Sequence, residues 1–169
     1  CSAANVVGGV QGCTYGCLGF GDCVAACKYA AMKMVQGSPV INYDKCIGCG
    51  ACLRACPRGI IEMIPFKVER MMVIACSNHD PAKAVREVCK VGCLGCSACA
   101  RILPEIFKVV NNLSTIDYAK YTGNEDLTKV REKCPMGTMV YFGKPTPAIE
   151  KELEGVEAVT IAGPPASPE

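Results

Sequence analysis

Residues 46–57, Cys46-Ile47-Gly48-Cys49-Gly50-Ala51-Cys52-Leu53-Arg54-Ala55-Cys56-Pro57, space four thiols as C-x₂-C-x₂-C-x₃-C and close on a proline. Thiols this close leave few structural options. Neighbours two or three residues apart do not bridge one another easily. A structural zinc site wants two separated pairs that close a tetrahedron. An iron–sulfur cubane suits the spacing: a tight loop wraps three thiolates around one cluster, and the fourth, a turn further on, points at a second cluster. Gly48 and Gly50 let the backbone approach and aim N–H groups at the sulfurs. Pro57 ends any helix that the last cysteines begin.

Composition agrees with a chain stapled by metal. Fifteen of 169 residues are Cys, only 6% are aromatic, and there is no Trp. So little bulky apolar material cannot build a large conventional core, and other staples must supply stability. An odd cysteine count in tight groups favours metal ligation in a reducing compartment over a disulfide framework. No apolar run is long enough to span a bilayer, and no signal peptide is visible. The chain begins at Cys1, so a processed chain or a fragment is expected. The formal charge is +2, but twelve ligand thiolates and three oxidised [4Fe-4S] cores would take it to about −4. That balance argues against nucleic acid as a partner class.

Along the chain, residues 1–12 read as a loop of small residues. Cys13-Thr14-Tyr15-Gly16-Cys17-Leu18-Gly19-Phe20-Gly21-Asp22-Cys23-Val24-Ala25-Ala26-Cys27 is then a displaced half-motif of the bacterial ferredoxin type. Cys17, Cys23 and Cys27 hold the first, third and fourth positions. Phe20 holds the second, and Cys13 is the natural substitute ligand. Residues 34–43 predict two short strands around a Gly-Ser-Pro turn, and 59–65 predict a closing strand. By the crossed-ligand rule one cluster takes Cys13, Cys17, Cys23 and Cys56, and a second takes Cys46, Cys49, Cys52 and Cys27. The alternative at the first site is a [3Fe-4S] centre on Cys17, Cys23 and Cys56, with Cys13 free.

A charged connector at 66–70 marks the expected boundary between units. Residues 71–75 read as a strand, and Asp80-Pro81 reads as a cap opening a helix to about Val88. Cys89-Lys90-Val91-Gly92-Cys93-Leu94-Gly95-Cys96-Ser97-Ala98-Cys99 repeats the C-x₂-G-C-L-G core that starts at Cys13. This second copy has lost cysteines selectively. Leu103-Pro104 replaces Cys27-Lys28, and no Cys occurs between residues 100 and 133, yet Cys134-Pro135 returns. Crossed ligation accounts for the remainder: one cluster's ligands are all gone, and those of a third cluster, Cys93, Cys96, Cys99 and Cys134, are all present. The expected fold is α+β: two tandem bacterial-type ferredoxin domains, the second degenerate with one cluster. The expected boundaries are 1–70, 71–143 and an acidic, Pro-rich tail at 144–169, with a short helix at 148–153. Cys1, Cys76 and Cys89 are left over; a plain buried thiol is the simplest role for Cys89. His79 reads as a surface residue.

Three stretches resemble the B subunit of the Rnf complex: Cys1-Ser2-Ala3-Ala4-Asn5 with Gly8-Gly9, the Cys13-to-Cys23 run, and Cys76 to Cys89 followed by Val91-Gly92-Cys93-Leu94-Gly95-Cys96. The resemblance covers roughly residues 1–143. It implies an iron–sulfur subunit of a membrane-bound, ion-translocating ferredoxin:NAD⁺ oxidoreductase of anaerobes, passing electrons from soluble ferredoxin toward the membrane subunits. It also implies a place on the cytoplasmic side of the cell membrane. Members usually carry an N-terminal transmembrane helix and a further cysteine-rich cluster domain, so a soluble part of such a subunit is expected here.

The leading functional expectation is an electron wire of three [4Fe-4S] clusters with soluble ferredoxin as donor, other subunits of a membrane complex as partners, and neither a small-molecule substrate nor catalytic residues. Lys28, Arg54 and Arg58 stand beside ligand cysteines, placed to raise cluster potentials and to steer an acidic ferredoxin, or simply to be a solvated face. Competing readings are an iron–sulfur subunit of another anaerobic oxidoreductase, a redox-sensing thiol protein using Cys76 and Cys89, and a structural zinc module.

Overall fold

Two stretches of the chain share a hairpin register and a pair of short helices, and they are closed differently. The computed structural model describes residues 1–9 and 12–143. The elements of the first copy are α1 (Ser2–Val6), α2 (Asp22–Ala25), β1 (Met32–Val35), β2 (Ser38–Ile41) and α3 (Ala51–Ala55). Then follow β3 (Arg70–Ile74), α4 (Ala82–Val88), α5 (Ala98–Ile102), β4 (Phe107–Val110), β5 (Leu113–Ile116), α6 (Thr128–Glu132) and β6 (Met139–Gly143). The fold is mixed α/β, with three two-stranded antiparallel sheets among the described residues, pairing β1 with β2, β3 with β6 and β4 with β5. None of the helices among the described residues is long and apolar enough to cross a membrane.

The two hairpins share one register. Met32 faces Ile41 and Val35 faces Ser38, as Phe107 faces Ile116 and Val110 faces Leu113. Each closes through two residues of positive φ, Gln36 (46°) and Gly37 (75°) in one, Asn111 (48°) and Asn112 (63°) in the other. That pair of left-handed residues is the turn whose twist matches an antiparallel ribbon. The Gly-Ser-Pro turn expected from sequence is therefore shifted: Ser38 and Pro39 lie in β2. Helices also pair alike, α2 against α3 and α5 against α6.

Other expectations change as well. Residues 1–12 are not all loop, since α1 forms at Ser2–Val6. Residues 59–65 form no strand, whereas β6, after the second Cys-Pro, pairs with β3 along five residues from Arg70↔Gly143 to Ile74↔Met139. The ladder with β3 is what makes β6 a strand. The cap of α4 is Pro81 without a side-chain bond, and the Asp80 amide instead donates to Asn78 Oδ1 at 2.6 Å. The connector packs onto the second copy: Lys67 Nζ donates to the Ala119 carbonyl at 3.1 Å, and Ile64 and Val68 rest on the core below. The expected helix at 148–153, like the whole tail, lies outside the described residues.

That core belongs to the second copy. Met71, Met72, Ile106, Phe107, Tyr121, Leu127, Val130 and Met139 form one buried cluster, in which Met71 and Met72 are 0% exposed. Two tyrosines grip Met72: its amide donates to the Tyr121 hydroxyl at 3.3 Å, and the Tyr118 hydroxyl donates to its carbonyl at 3.1 Å. Burial, with Glu62 nearby, pushes the Tyr118 hydroxyl up to about 12 and keeps it a donor. Before residue 70 the only buried apolar residues among those described are Leu18, Cys23, Ala31 and Met32.

Candidate iron–sulfur sites

Three cysteine loops share one backbone shape, and the shape explains the glycines. Each has a left-handed residue two and four positions after its leading Cys: Gly19 and Gly21 after Cys17, Gly48 and Gly50 after Cys46, Gly95 and Ser97 after Cys93. Gly21, Gly50 and Ser97 each open the short helix that carries the next cysteine, Cys23, Cys52 or Cys99. The loop thus curls its amides inward and delivers the last thiol from a helix start. Two of the three loops also lie against a hairpin turn. A Cβ on Gly19 would stand 3.0 Å from the Gly37 carbonyl oxygen, and one on Gly95 2.6 Å from that of Asn112. In this register Phe20 takes the place of Cys49 and Cys96, and its ring is exposed.

Four thiols line each of two cavities. Cys46, Cys49 and Cys52 surround one together with Cys27, which arrives from the preceding half-motif; Met32, Ile41 and Met63 supply apolar wall. Cys93, Cys96 and Cys99 surround the other together with Cys134; Ile74, Val109 and Met139 supply its wall. Each leaves about 400 Å³ and about 380 Å³ of open space, respectively. Among the described residues no three His, Cys, Asp or Glu side chains converge closely enough to hold a single ion. Thiolates on one tetrahedral zinc stand only about 3.8 Å apart, while four around a cubane stand further apart with the irons between them. All fifteen cysteines are free of disulfides. The donor set and its spacing fit a cluster.

The environments differ. Cys46 and Cys49 are exposed, whereas Cys93 and Cys99 are buried. Around Cys93 and Cys99 the protein supplies donors of its own: the Ser114 amide lies 3.5 Å from Cys93 Sγ and the Ser114 hydroxyl 3.1 Å from Cys99 Sγ. Burial pushes the Cys99 thiol up, with the Ser114 bond opposing it. Hydrogen bonds to sulfur and exclusion of solvent are two main levers on the potential of an iron–sulfur cluster, and the two cavities differ in both.

The remaining set is looser. Cys17 and Cys56 lie beside Cys23, and their charges add to the burial that pushes the Cys23 thiol up. Cys13 is reached from elsewhere: its Sγ accepts a hydrogen bond from Asn78 Nδ2 at 3.5 Å. What organises this loop is Arg58, two residues after Cys56. Its guanidinium donates to the carbonyls of Cys13 (2.8 Å), Gly16 (3.2 Å) and Gly8 (3.0 Å), and to Asn5 Oδ1 (3.2 Å). The donors of Arg58 are engaged internally, clamping the Cys13–Cys17 loop to the Cys-Pro segment. A basic residue close behind a Cys-Pro was the only trace of this in the sequence. Arg54 is exposed, with Nη1 3.5 Å from the Cys49 carbonyl. His79 is exposed, edge-on to Tyr15, with Nδ1 3.0 Å from the Asn111 carbonyl. Asn78 and Ser114, both buried and both bonded to cysteine sulfur, carried no sequence signal.

Comparison with known proteins bears on the same residues. A 4Fe-4S binding domain model matches residues 39–62. The B subunit of the ion-translocating oxidoreductase complex of Methanosarcina acetivorans is 41% identical over 114 residues, 66% of this chain and 42% of that protein. The B subunit of the proton-translocating ferredoxin:NAD(+) oxidoreductase complex of Clostridium ljungdahlii is 42% identical over 142 residues, 82% of this chain and 49% of that protein. Its counterpart in the Na(+)-translocating ferredoxin:NAD(+) oxidoreductase complex of Acetobacterium woodii is 36% identical over 144 residues, 82% of this chain and 42% of that protein. The chain spans less than half the length of these relatives.

Proposed function

The chain is homologous to the B subunits of ion-translocating ferredoxin:NAD⁺ oxidoreductase complexes, the Rnf family, and from that premise we propose that it is an electron-conducting part of such a protein, carrying three [4Fe-4S] clusters. Its donor is a reduced soluble ferredoxin, and its acceptors are other subunits of a membrane complex, reached from the cytoplasmic side. The ligand sets are Cys13, Cys17, Cys23 and Cys56; Cys27, Cys46, Cys49 and Cys52; and Cys93, Cys96, Cys99 and Cys134. The chain divides into a two-cluster unit to residue 70 and a one-cluster unit from 71 to 143.

One observation carries the reading: each of two cavities is lined by four cysteines, three from one loop and one from a distant segment. When bound, the clusters supply one-electron oxidation and reduction. The residues of the chain do the rest. Cys46 and Cys49 are exposed beside Ile47, Met63, Lys45 and Arg54, all exposed too. An apolar contact with Lys45 and Arg54 beside it is suited to an acidic redox partner. Around Cys99 two of the four thiols, Cys93 and Cys99, are buried while Cys96 is exposed, and Ser114 is aimed at the buried pair. The set with two exposed thiols is thus the entry, and the set with two buried thiols the relay.

Iron and acid-labile sulfide per chain, measured anaerobically with EPR of both redox states, test this. About twelve of each, silent when oxidised, is the expected result. About eleven iron with an oxidised-state signal replaces the first cluster by [3Fe-4S] and frees Cys13. Zinc without visible absorption overturns the reading.

A further inference from the structure

Cys76, a cysteine in none of the three ligand sets, sits where the two units meet. Its Sγ accepts two backbone N–H bonds, from Asn78 at 3.4 Å and from Cys93 at 3.3 Å. Cys93 leads the third ligand set. Asn78 is 2% exposed, and its side chain reaches the other way, donating from Nδ2 to Cys13 Sγ at 3.5 Å. The amide cannot be the other way round, because Oδ1 must accept from the Asp80 amide at 2.6 Å. A continuous chain of hydrogen bonds therefore runs from Cys13 through Asn78 and Cys76 to the backbone of Cys93. Its surroundings hold the 76–80 segment in place: Tyr15 meets His79 edge-on, the His79 carbonyl accepts from Asn112 Nδ2 at 3.1 Å, and Val88 lies against Gly12. Among the described residues no buried side-chain nitrogen or oxygen lacks a partner.

We propose that Asn78 and Cys76 are the redox link between the two units: Asn78 sets the potential of the first cluster through Cys13, and Cys76 ties that residue to the third cluster. The inference rests on the three-cluster reading. An amide N–H pointed at a ligand sulfur stabilises the extra negative charge of the reduced state, so it raises the potential. In water-poor surroundings such a bond is worth more than at the surface. The same chain gives the two units one hydrogen-bonded path across their junction. Cys76 acts in it as an acceptor and is not a ligand.

The test is a redox titration followed by EPR on the fully loaded chain and on Asn78→Asp. Aspartate keeps the size of the side chain and the bond from Asp80, but loses the donor and adds a negative charge beside Cys13. The expected result is a lower potential at the first cluster, with its oxidised-to-reduced ratio shifted at least tenfold, about 59 mV for one electron. The set at Cys46, in a cavity of its own, should stay in place. Asn78→Ala should shift the first cluster the same way, by less. Cys76→Ala should leave iron unchanged while moving the third cluster. Unmoved potentials in all three variants overturn the link, and so does loss of iron in Cys76→Ala, which would make it a ligand. If the variants do not load, the parent grown with asparagine labelled with ¹⁵N in its side-chain amide still decides. A nitrogen coupling at the reduced first cluster supports the link, and its absence sinks it. Iron content of the parent judges the three-cluster reading separately, since the variants are scored against the parent whatever its count.

Discussion

The two halves of this chain carry the same hairpin, the same loop and the same pair of short helices, yet they hold themselves together by different means. Where the first half has Cys27, Cys46, Cys49 and Cys52 around a cavity, the second has an apolar interior. Leu103 takes the place of Cys27, and Tyr121, Leu127 and Val130 fill the region of the missing loop. Its last strand found a partner in β3, while the matching residues 59–65 of the first half remain without a strand. The lesson concerns substitution of one staple for another. A cluster site needs little buried side-chain area, because metal–thiolate bonds close the unit. Remove the thiols, and the same topology survives only if a core replaces them.

Chelation should separate the halves most sharply. Stripping iron from the chain is expected to abolish protection of the amides in 13–65, while Met71–Ile74 and the partner strand at 139–143 keep measurable hydrogen-exchange protection. Equal loss in both halves would break the comparison. The reverse experiment strikes the second half alone. Phe107→Ala should cost about 3–5 kcal/mol in a denaturant titration, and Phe20→Ala, at an exposed position, less than about 0.5 kcal/mol. Should Phe107→Ala also be mild, the interior is not what holds that half.

Arg58→Met targets one site within the first half. Without the guanidinium, two carbonyls on the Cys13 loop and two acceptors at Asn5 and Gly8 lose their partner. The expected outcome is a fall of roughly four iron per chain with the other two EPR signals intact; unchanged iron would show that the clamp is dispensable. A smaller, graded contrast comes from the loop glycines. Both Gly19→Ala and Gly95→Ala force a left-handed alanine, but the Cβ is closer to carbonyl oxygen at Gly95. Destabilisation of about 1–3 kcal/mol is expected, larger for Gly95→Ala, by thermal melts of the loaded protein.

The smallest effect is in pH. Burial raises the Cys99 thiol above its ordinary value, so the empty protein gains stability from it below that value and loses it as pH rises through the folded one. Binding metal must expel that proton. Cluster assembly at the Cys99 site of the apoprotein should therefore quicken as pH is raised through the thiol range; a flat profile by visible absorption would refute this.

The sequence by itself determined the chemistry and the period. Thiols at C-x₂-C-x₂-C spacing with glycines between them admit little besides a cluster loop, and the repeat of Cys17-Leu18-Gly19 as Cys93-Leu94-Gly95 announced a second copy. These are local signals: they depend on neighbours a few residues away and on backbone conformations only glycine adopts freely. Tertiary structure decided the rest. Whether residues 59–65 or 139–143 form a strand depends on a partner remote in sequence. Whether Arg58 steers a ligand or clamps a loop depends on which carbonyls come within 3.2 Å. Asn78 and Cys76 came within reach of Cys13 and Cys93 only when distant segments packed together. No periodicity along the chain records those encounters, because hydrogen bonds between distant residues are fixed by the packing that brings them into range.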